Sequence, residues 1–259
     1  MVSKNQVKLI RQLEQKKIRR REGLFVAEGP KVVGDLLRAG FQPTAVYATT
    51  MWCADNACHS SGDSSAMAAG MSLSCNVVTD DELRRLSFLQ HPQQVLALFP
   101  IPEPPAQAVA AQGLCLALDG VQDPGNLGTI IRIADWFGIA TVYCSEDTAD
   151  VWNPKVVQAT MGSIARVQVV YTDLARLIDT AQVPVYATLL DGENIYTQTL
   201  SADGLVVMGN EGNGISPAIR QRISRRLLIP DFHLGTTAES LNVATATAIV
   251  CSEFRRRII

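Results

Sequence analysis

Residues 114–138 read LCLALDGVQDPGNLGTIIRIADWFG, and the fold class turns on how this stretch is parsed. Leu114 to Leu118 is a short apolar run with the character of a buried strand. It gives way to the turn-rich Asp119-Gly120 and Asp123-Pro124-Gly125, after which Asn126 is placed to cap a helix by accepting from its first free backbone N–H groups. On that helix Leu127, Ile130, Ile131, Ala134 and Phe137 share one face, the spacing of a stripe turned to a core. Arg132 projects from the opposite face with Thr129 and Trp136 beside it. A permanent guanidinium charge just past a strand end calls for an anionic ligand or, more plainly, a surface carboxylate.

Outward from this unit, the second half of the chain repeats the same alternation. Strands are expected at Leu114 to Leu118, Thr141 to Cys144, Val167 to Val170, Val183 to Ala187, Leu205 to Met208 and Leu227 to Ile229. Helices are expected at Asn126 to Phe137, Pro154 to Met161, Asp173 to Thr180, Ser216 to Arg222 and Ser240 to Arg256. Near-continuous apolar strands separated by helices indicate an α/β fold with a parallel sheet covered on both faces. Ligands in such sheets sit at the carboxyl ends of strands, which directs attention to the loops after Leu118, Ala187, Met208 and Ile229.

The first half reads as a smaller α/β unit. A helix is expected from Lys4 to Arg21, a strand from Leu24 to Ala27, a helix from Pro30 to Arg38 ended by Gly40, and a strand from Thr44 to Ala48. Met51 to Ser74 carries little periodic signal. Asn76 to Val78, a helix from Asp80 to Ser87 and a strand from Gln94 to Phe99 complete the unit. Pro100, Pro102, Pro104 and Pro105 then stiffen a linker. The expected organisation is therefore a domain over 1–99, a linker over 100–112 and a second domain over 113–259.

The 259 residues carry a formal net charge of −2, so no global excess of positive charge points to nucleic acid. The local distribution does, because Lys4, Lys8, Arg11, Lys16, Lys17, Arg19, Arg20 and Arg21 crowd one segment in which Glu14 is the counter-charge. A solvated basic face is the plainer reading of the same run. That segment contains no aromatic residue, so phosphate contact and shape recognition of folded RNA fit it better than base stacking. No apolar run is long enough to span a bilayer and the first residues lack a signal-like core, which makes a cytoplasmic location the default expectation. Of six scattered cysteines, only Cys53 and Cys58 with His59 hint at ligand spacing, and without a second pair no metal site is expected.

Two loops carry candidate chemistry. Gly209-Asn210-Glu211-Gly212-Asn213-Gly214 follows a strand, and its glycines permit close approach of backbone to a ligand. It lacks the Lys and Ser/Thr of a phosphate-binding loop and the order of a dinucleotide fingerprint, and Glu211 would repel an anion. A cationic ligand, a ribose hydroxyl or the orientation of Arg132 suits that carboxylate better. The second loop runs from Pro230 through His233 and Gly235 to Ser240-Leu241-Asn242-Val243, where Ser240 is a natural N-cap for a final helix rich in small residues. His59, His91 and His233 adjoin no nucleophile motif, so hydrolase and metalloenzyme chemistries are disfavoured, and the missing glycine fingerprint disfavours a nicotinamide oxidoreductase.

Three segments together resemble the SpoU, or TrmH, family of RNA ribose 2′-O-methyltransferases: Asn126 to Arg132, Gly209 to Ser216, and Ile229-Pro230 with Ser240-Leu241-Asn242-Val243. The resemblance covers the chain from about Leu114 onward. The first half, through KNQVKLIRQLEQKKIRRREGLFVAEGPKVV, is similar to the small RNA-binding domain of ribosomal-protein L30e type that many members carry. The resemblance implies a deep trefoil knot in the second domain, S-adenosylmethionine as methyl donor, and a homodimer packed through the C-terminal domains. It assigns Thr188, Leu189, Gly209, Gly212, Ile229 and Leu241 to the cofactor and Asn126, Arg132, Glu211, Ser240 and Asn242 to the active site. One departure is the Asp231 to Glu239 segment, longer than the common family spacing. The extra N-terminal domain favours ribosomal RNA as substrate, with transfer RNA the nearest alternative and a non-catalytic RNA-binding protein a third. The family proposal makes the motif arginine a base. A guanidinium with a pKa above about 12 is a poor proton acceptor, so Arg132 is better suited to binding the target phosphate and stabilising developing alkoxide charge.

Overall fold

A computed structural model describes residues 2–56, 59–60, 73–103, 113–233 and 239–257. The chain divides into two compact units, Met1–Pro102 with Trp152–Ala165, and Glu103–Val151 with Arg166–Ile259.

The first unit begins with α1 (Lys4–Gln12), started by a capping box between Ser3 and Gln6, and α2 (Lys16–Glu22), ended by Gly23 in the left-handed conformation. These replace the single expected helix from Lys4 to Arg21. At the break between them the Leu13 and Glu14 carbonyls accept from the Arg19 guanidinium, while Ile10 and Leu13, three residues apart on one face, are both buried. Then follow β1 (Leu24–Glu28), α3 (Pro30–Arg38), β2 (Ala45–Ala48), α4 (Thr50–Asp55), β3 (His59–Ser60), β4 (Ser74–Val77), α5 (Asp80–Leu86) and β5 (Val95–Pro100). The sheet order is β1-β5-β2-β4-β3, antiparallel where β5 meets β1 and β2, parallel elsewhere. Ile10, Leu13, Val26, Tyr47, Leu83, Leu86, Leu96 and Leu98 form its core beneath α1 and α5. Cys58 of the suspected cysteine–histidine cluster, most of the Met51 to Ser74 segment, and Pro104 and Pro105 lie outside the described residues.

The second unit holds β6 (Leu114–Asp119), α6 (Pro124–Trp136) and β7 (Thr141–Cys144). After β7 the chain contributes α7 (Pro154–Ala159) to the first unit, where the Trp152 ring packs tilted against Phe25 with ring centroids 4.5 Å apart. It resumes with β8 (Gln168–Tyr171), α8 (Leu174–Asp179), β9 (Val185–Asn194), β10 (Gly204–Gly209), α9 (Pro217–Arg220), β11 (Arg225–Leu228) and α10 (Val243–Arg256). Its six strands pair in the order β11-β9-β10-β6-β7-β8, and every pair is parallel. The expected parallel sheet is thus present, and β6 and β10 lie side by side with Asp119 opposite Gly209. Both flanking loops therefore emerge together at one sheet end.

Strand β9 runs well beyond the expected Ala187. Arg226 faces Ala187 while the next residue, Leu227, faces Glu193, so Thr188 to Gly192 are looped out of the ladder. The chain re-enters the ladder at Glu193, and at Gly192 just before it a Cβ would stand 2.6 Å from the Leu227 carbonyl carbon, too close for any other residue. No described helix is long and apolar enough to cross a membrane.

Candidate active site

The N-cap of helix α6 lies three residues earlier than the sequence suggested. Asp123, not Asn126, is its N-cap, accepting from the Asn126 N–H at 2.8 Å, and Pro124 occupies the first turn where a missing N–H costs nothing. The Asp-Pro pair was the signal for this start. Freed from capping, the Asn126 side chain turns to other loops: its Nδ2 donates to Glu211 Oε1 at 2.9 Å, and its Oδ1 accepts from Asn242 Nδ2 at 2.9 Å.

Asn242 in turn takes the capping role expected of Ser240. Its Oδ1 accepts from the Ala244 and Thr245 N–H groups, and α10 starts at Val243. One hydrogen-bonded chain therefore links the loop after β10, the start of α6 and the start of α10, three segments far apart in sequence. Asn126 sits in its middle with both amide atoms committed, which leaves a single orientation for that amide.

Glu211 anchors the far end. Besides Asn126, its carboxylate accepts from the Gln122 and Asp123 N–H groups at 3.3 and 3.2 Å. Partial burial works to raise its pKa, but the bonds from Asn126 and from the Gln122, Asp123 and its own backbone N–H groups outweigh burial and hold it below the ordinary carboxylate value. Glu211 is therefore a fixed anion near neutral pH.

A cavity of about 530 Å³ opens at the same strand ends. Thr188, Leu189, Gly209, Gly212, Ile229 and Leu241 all line it, as do Glu211 and Ser240. The looped-out segment of β9 supplies one wall, Leu189 to Asp191, and Asp191 is held by Arg220 at 2.5 Å and Arg226 at 2.9 Å. Sequence reading missed this clamp, since nothing in the spacing of Asp191 and the two arginines shows that a bulge brings them together. The cavity has the size and mixed character of a small-molecule site. Apolar Leu189, Met208, Ile229 and Leu241 suit a flat aromatic group, while backbone polar groups at the ends of β9 and β10 offer hydrogen bonds; a nucleoside fits this set. At Gly209 a Cβ would meet the Ile215 nitrogen at 2.6 Å, so the strand end must be glycine for the loop to close.

Arg132 lies exposed on α6 and makes no hydrogen bond or ion pair with any described residue. Ser240 is exposed at the cavity. The Leu234 to Ala238 part of the long Asp231 to Glu239 segment lies outside the described residues.

In the first unit Lys4, Lys8, Arg11, Lys16, Lys17, Arg20 and Arg21 are exposed, but Arg19 is not. At 1 % exposure it donates to the Leu13 and Glu14 carbonyls at 2.8 and 2.7 Å, so its place in the expected phosphate-binding set is corrected to that of an internal clasp between α1 and α2. Arg11 is also engaged, donating to the Ser87 carbonyl and lying 4.9 Å over the Phe88 ring.

The model of the SpoU rRNA Methylase family matches residues 113–252, and that of the MRM3-like substrate binding domain matches residues 4–97. The 23S rRNA (guanosine(2553)-2′-O)-methyltransferase RlmP of Bacillus subtilis is 34% identical over 187 residues, 71% of this chain and 73% of that one. Among solved structures, an AdoMet-bound rRNA methyltransferase from Sinorhizobium meliloti is 30% identical over 100% of this chain and 98% of its own, with a TM-score of 0.85. A TrmH-family protein from Porphyromonas gingivalis is 39% identical over 99% of both chains, with a TM-score of 0.84.

Proposed function

The chain belongs to the SpoU rRNA methylase family, and from that membership we propose that it transfers a methyl group from S-adenosylmethionine to a ribose 2′-OH of ribosomal RNA. The observation that carries this reading is the coincidence of a nucleoside-sized cavity with the Glu211–Asn126–Asn242 chain at the same strand ends. Thr188, Leu189, Gly209, Gly212, Ile229 and Leu241 would hold the cofactor, whose sulfonium supplies an electrophilic methyl group when bound.

The protein's share of the work is alignment and charge. Asn126, Glu211 and Asn242 spend their polar atoms on each other and on backbone groups, so they act as a frame that fixes three loops around the reacting atoms. Arg132, free of any described partner, binds the target phosphate and stabilises charge developing on the ribose oxygen. Ser240, exposed at the cavity, orients the ribose. The exposed cations of α1 and α2 dock the RNA backbone.

A homodimer packed through the second unit is part of the same proposal, supported by Trp136, which stands 85 % exposed on α6 one turn beyond Arg132. So is threading of the last helix through a trefoil knot, for which an experimental chain trace across residues 229–243 is the decisive observation. The proposed place of action is the cytoplasm, to be checked by cell fractionation.

The test is transfer of labelled methyl from S-adenosylmethionine to RNA from cells lacking this gene, with ribosomal and transfer fractions separated and the products mapped. Label at a ribose of ribosomal RNA is expected. Label confined to transfer RNA would overturn the substrate, and no label in either fraction would overturn the activity.

A further inference from the structure

Resting on the reading of this cavity as the methyl-transfer site, we propose that Asn210 is a positioning residue for the reaction, shaping the loop after β10 so that Glu211 reaches α6. Asn210 carries no charge and, although it lies in the Gly209 to Ser216 segment, the family resemblance assigns it no role. Its importance is visible only in its bonds.

The Asn210 Oδ1 accepts from the Gly212 and Asn213 N–H groups, both at 2.9 Å, and its Nδ2 donates to the Gly120 carbonyl at 2.7 Å. Its backbone N–H donates to the Gly214 carbonyl at 2.9 Å and its carbonyl accepts from the Gly214 N–H at 3.0 Å. The loop is thus closed at its neck by backbone and organised at its centre by one amide. Glu211 is held between these fixed points, its carboxylate turned to Gln122, Asp123 and Asn126.

The bond to Gly120 matters most. Gly120 lies in the turn between β6 and α6, two residues before the first N–H that Glu211 accepts from, and its φ of +74° sets the direction of that turn. Asn210 therefore fixes the gap between two loops that the Glu211 carboxylate has to span. The task needs a donor and an acceptor on one short side chain, which Asn offers, whereas Asp has lost the donor and Ala both. The far end of the loop has its own anchor, the Ser216 N–H bonded to Asp119 at 2.7 Å, so loss of the Asn210 amide loosens Glu211 without releasing the whole segment.

The test is a double-mutant cycle in the full-length protein with S-adenosylmethionine and unmethylated ribosomal RNA. Asn210→Ala is expected to lower kcat roughly 10- to 100-fold, the scale of a small misplacement of reacting groups, while KM for S-adenosylmethionine moves far less. Glu211→Gln is expected to lower kcat at least as much, and the double variant no further than Glu211→Gln alone, because one residue acts through the other. Near-wild-type kcat in Asn210→Ala, or losses that multiply in the double variant, would overturn the assignment. If Asn210→Ala loses its cooperative unfolding transition, Asn210→Asp, which keeps the acceptor and drops the donor, carries the same cycle. Titration of the Glu211 carboxyl by NMR reads the loop without turnover: its midpoint is expected to rise towards the ordinary carboxylate value in Asn210→Ala, and an unmoved midpoint overturns the proposal even if the protein methylates nothing.

Discussion

Arg132 and Arg19 carry the same guanidinium under opposite conditions. Arg19 is buried on α2 with carbonyl partners in the turn after α1, whereas Arg132 faces solvent with no described partner, so its donors are available to a substrate. Arg132→Lys keeps the charge but loses the planar fork. We expect kcat to fall by roughly 10²-fold, the scale of one lost transition-state donor, with S-adenosylhomocysteine affinity by calorimetry unchanged; near-full activity would remove the need for a guanidinium. A second residue-scale expectation concerns Glu28, buried in the first unit against Ser87 and the Phe88 N–H. Burial raises its pKa despite those bonds and the nearby Arg11. A carboxyl whose folded pKa lies above its unfolded value contributes stability that is full below the unfolded pKa and lost as pH rises through the folded one. Wild-type stability measured against Glu28→Gln in denaturant should therefore decline from acidic towards neutral pH, and a flat difference would show that Glu28 ionises as freely folded as unfolded.

Among the elements, the pair α1 and α2 separates fold from function within one basic stretch. Removing the clasp in Arg19→Ala should cost about 1–3 kcal/mol of stability, the range for lost charge-assisted bonds to a buried group, while leaving the salt dependence of RNA binding as it was. Lys16→Ala with Lys17→Ala should do the reverse, lowering the slope of log affinity against log salt by roughly one unit for each phosphate no longer neutralised, with little change in the unfolding midpoint. If the two variants behave alike, the division between clasp and docking surface is wrong. The bulge of β9 makes a similar point about the cavity: five looped-out residues form its wall, and the return just after Gly192 depends on the absence of a side chain there.

For the whole molecule, the proposed dimer predicts a sedimenting species of twice the 28.0 kDa chain mass, reduced to a single chain by Trp136→Glu; a wild-type protein that sediments as one chain would end that proposal. Much of the architecture was legible beforehand, because apolar runs and helical stripes report local periodicity: the all-parallel second sheet and most element positions followed from them. Asn126, Glu211 and Asn242 were singled out by motif, yet which of them caps, which bridges and which anchors was not readable. The expected caps at Asn126 and Ser240 moved to Asp123 and Asn242, and one basic helix became two around a buried arginine. Sequence alone thus determined which segments are strands and helices and which loops could meet at the edge of the sheet, since burial pattern and turn residues are local properties. Only the tertiary structure decided the partner of each polar side chain, the looped-out wall of the cavity and the bond from Asn210 to Gly120, because those depend on which distant backbone groups the packed strands bring within about 3 Å of one another.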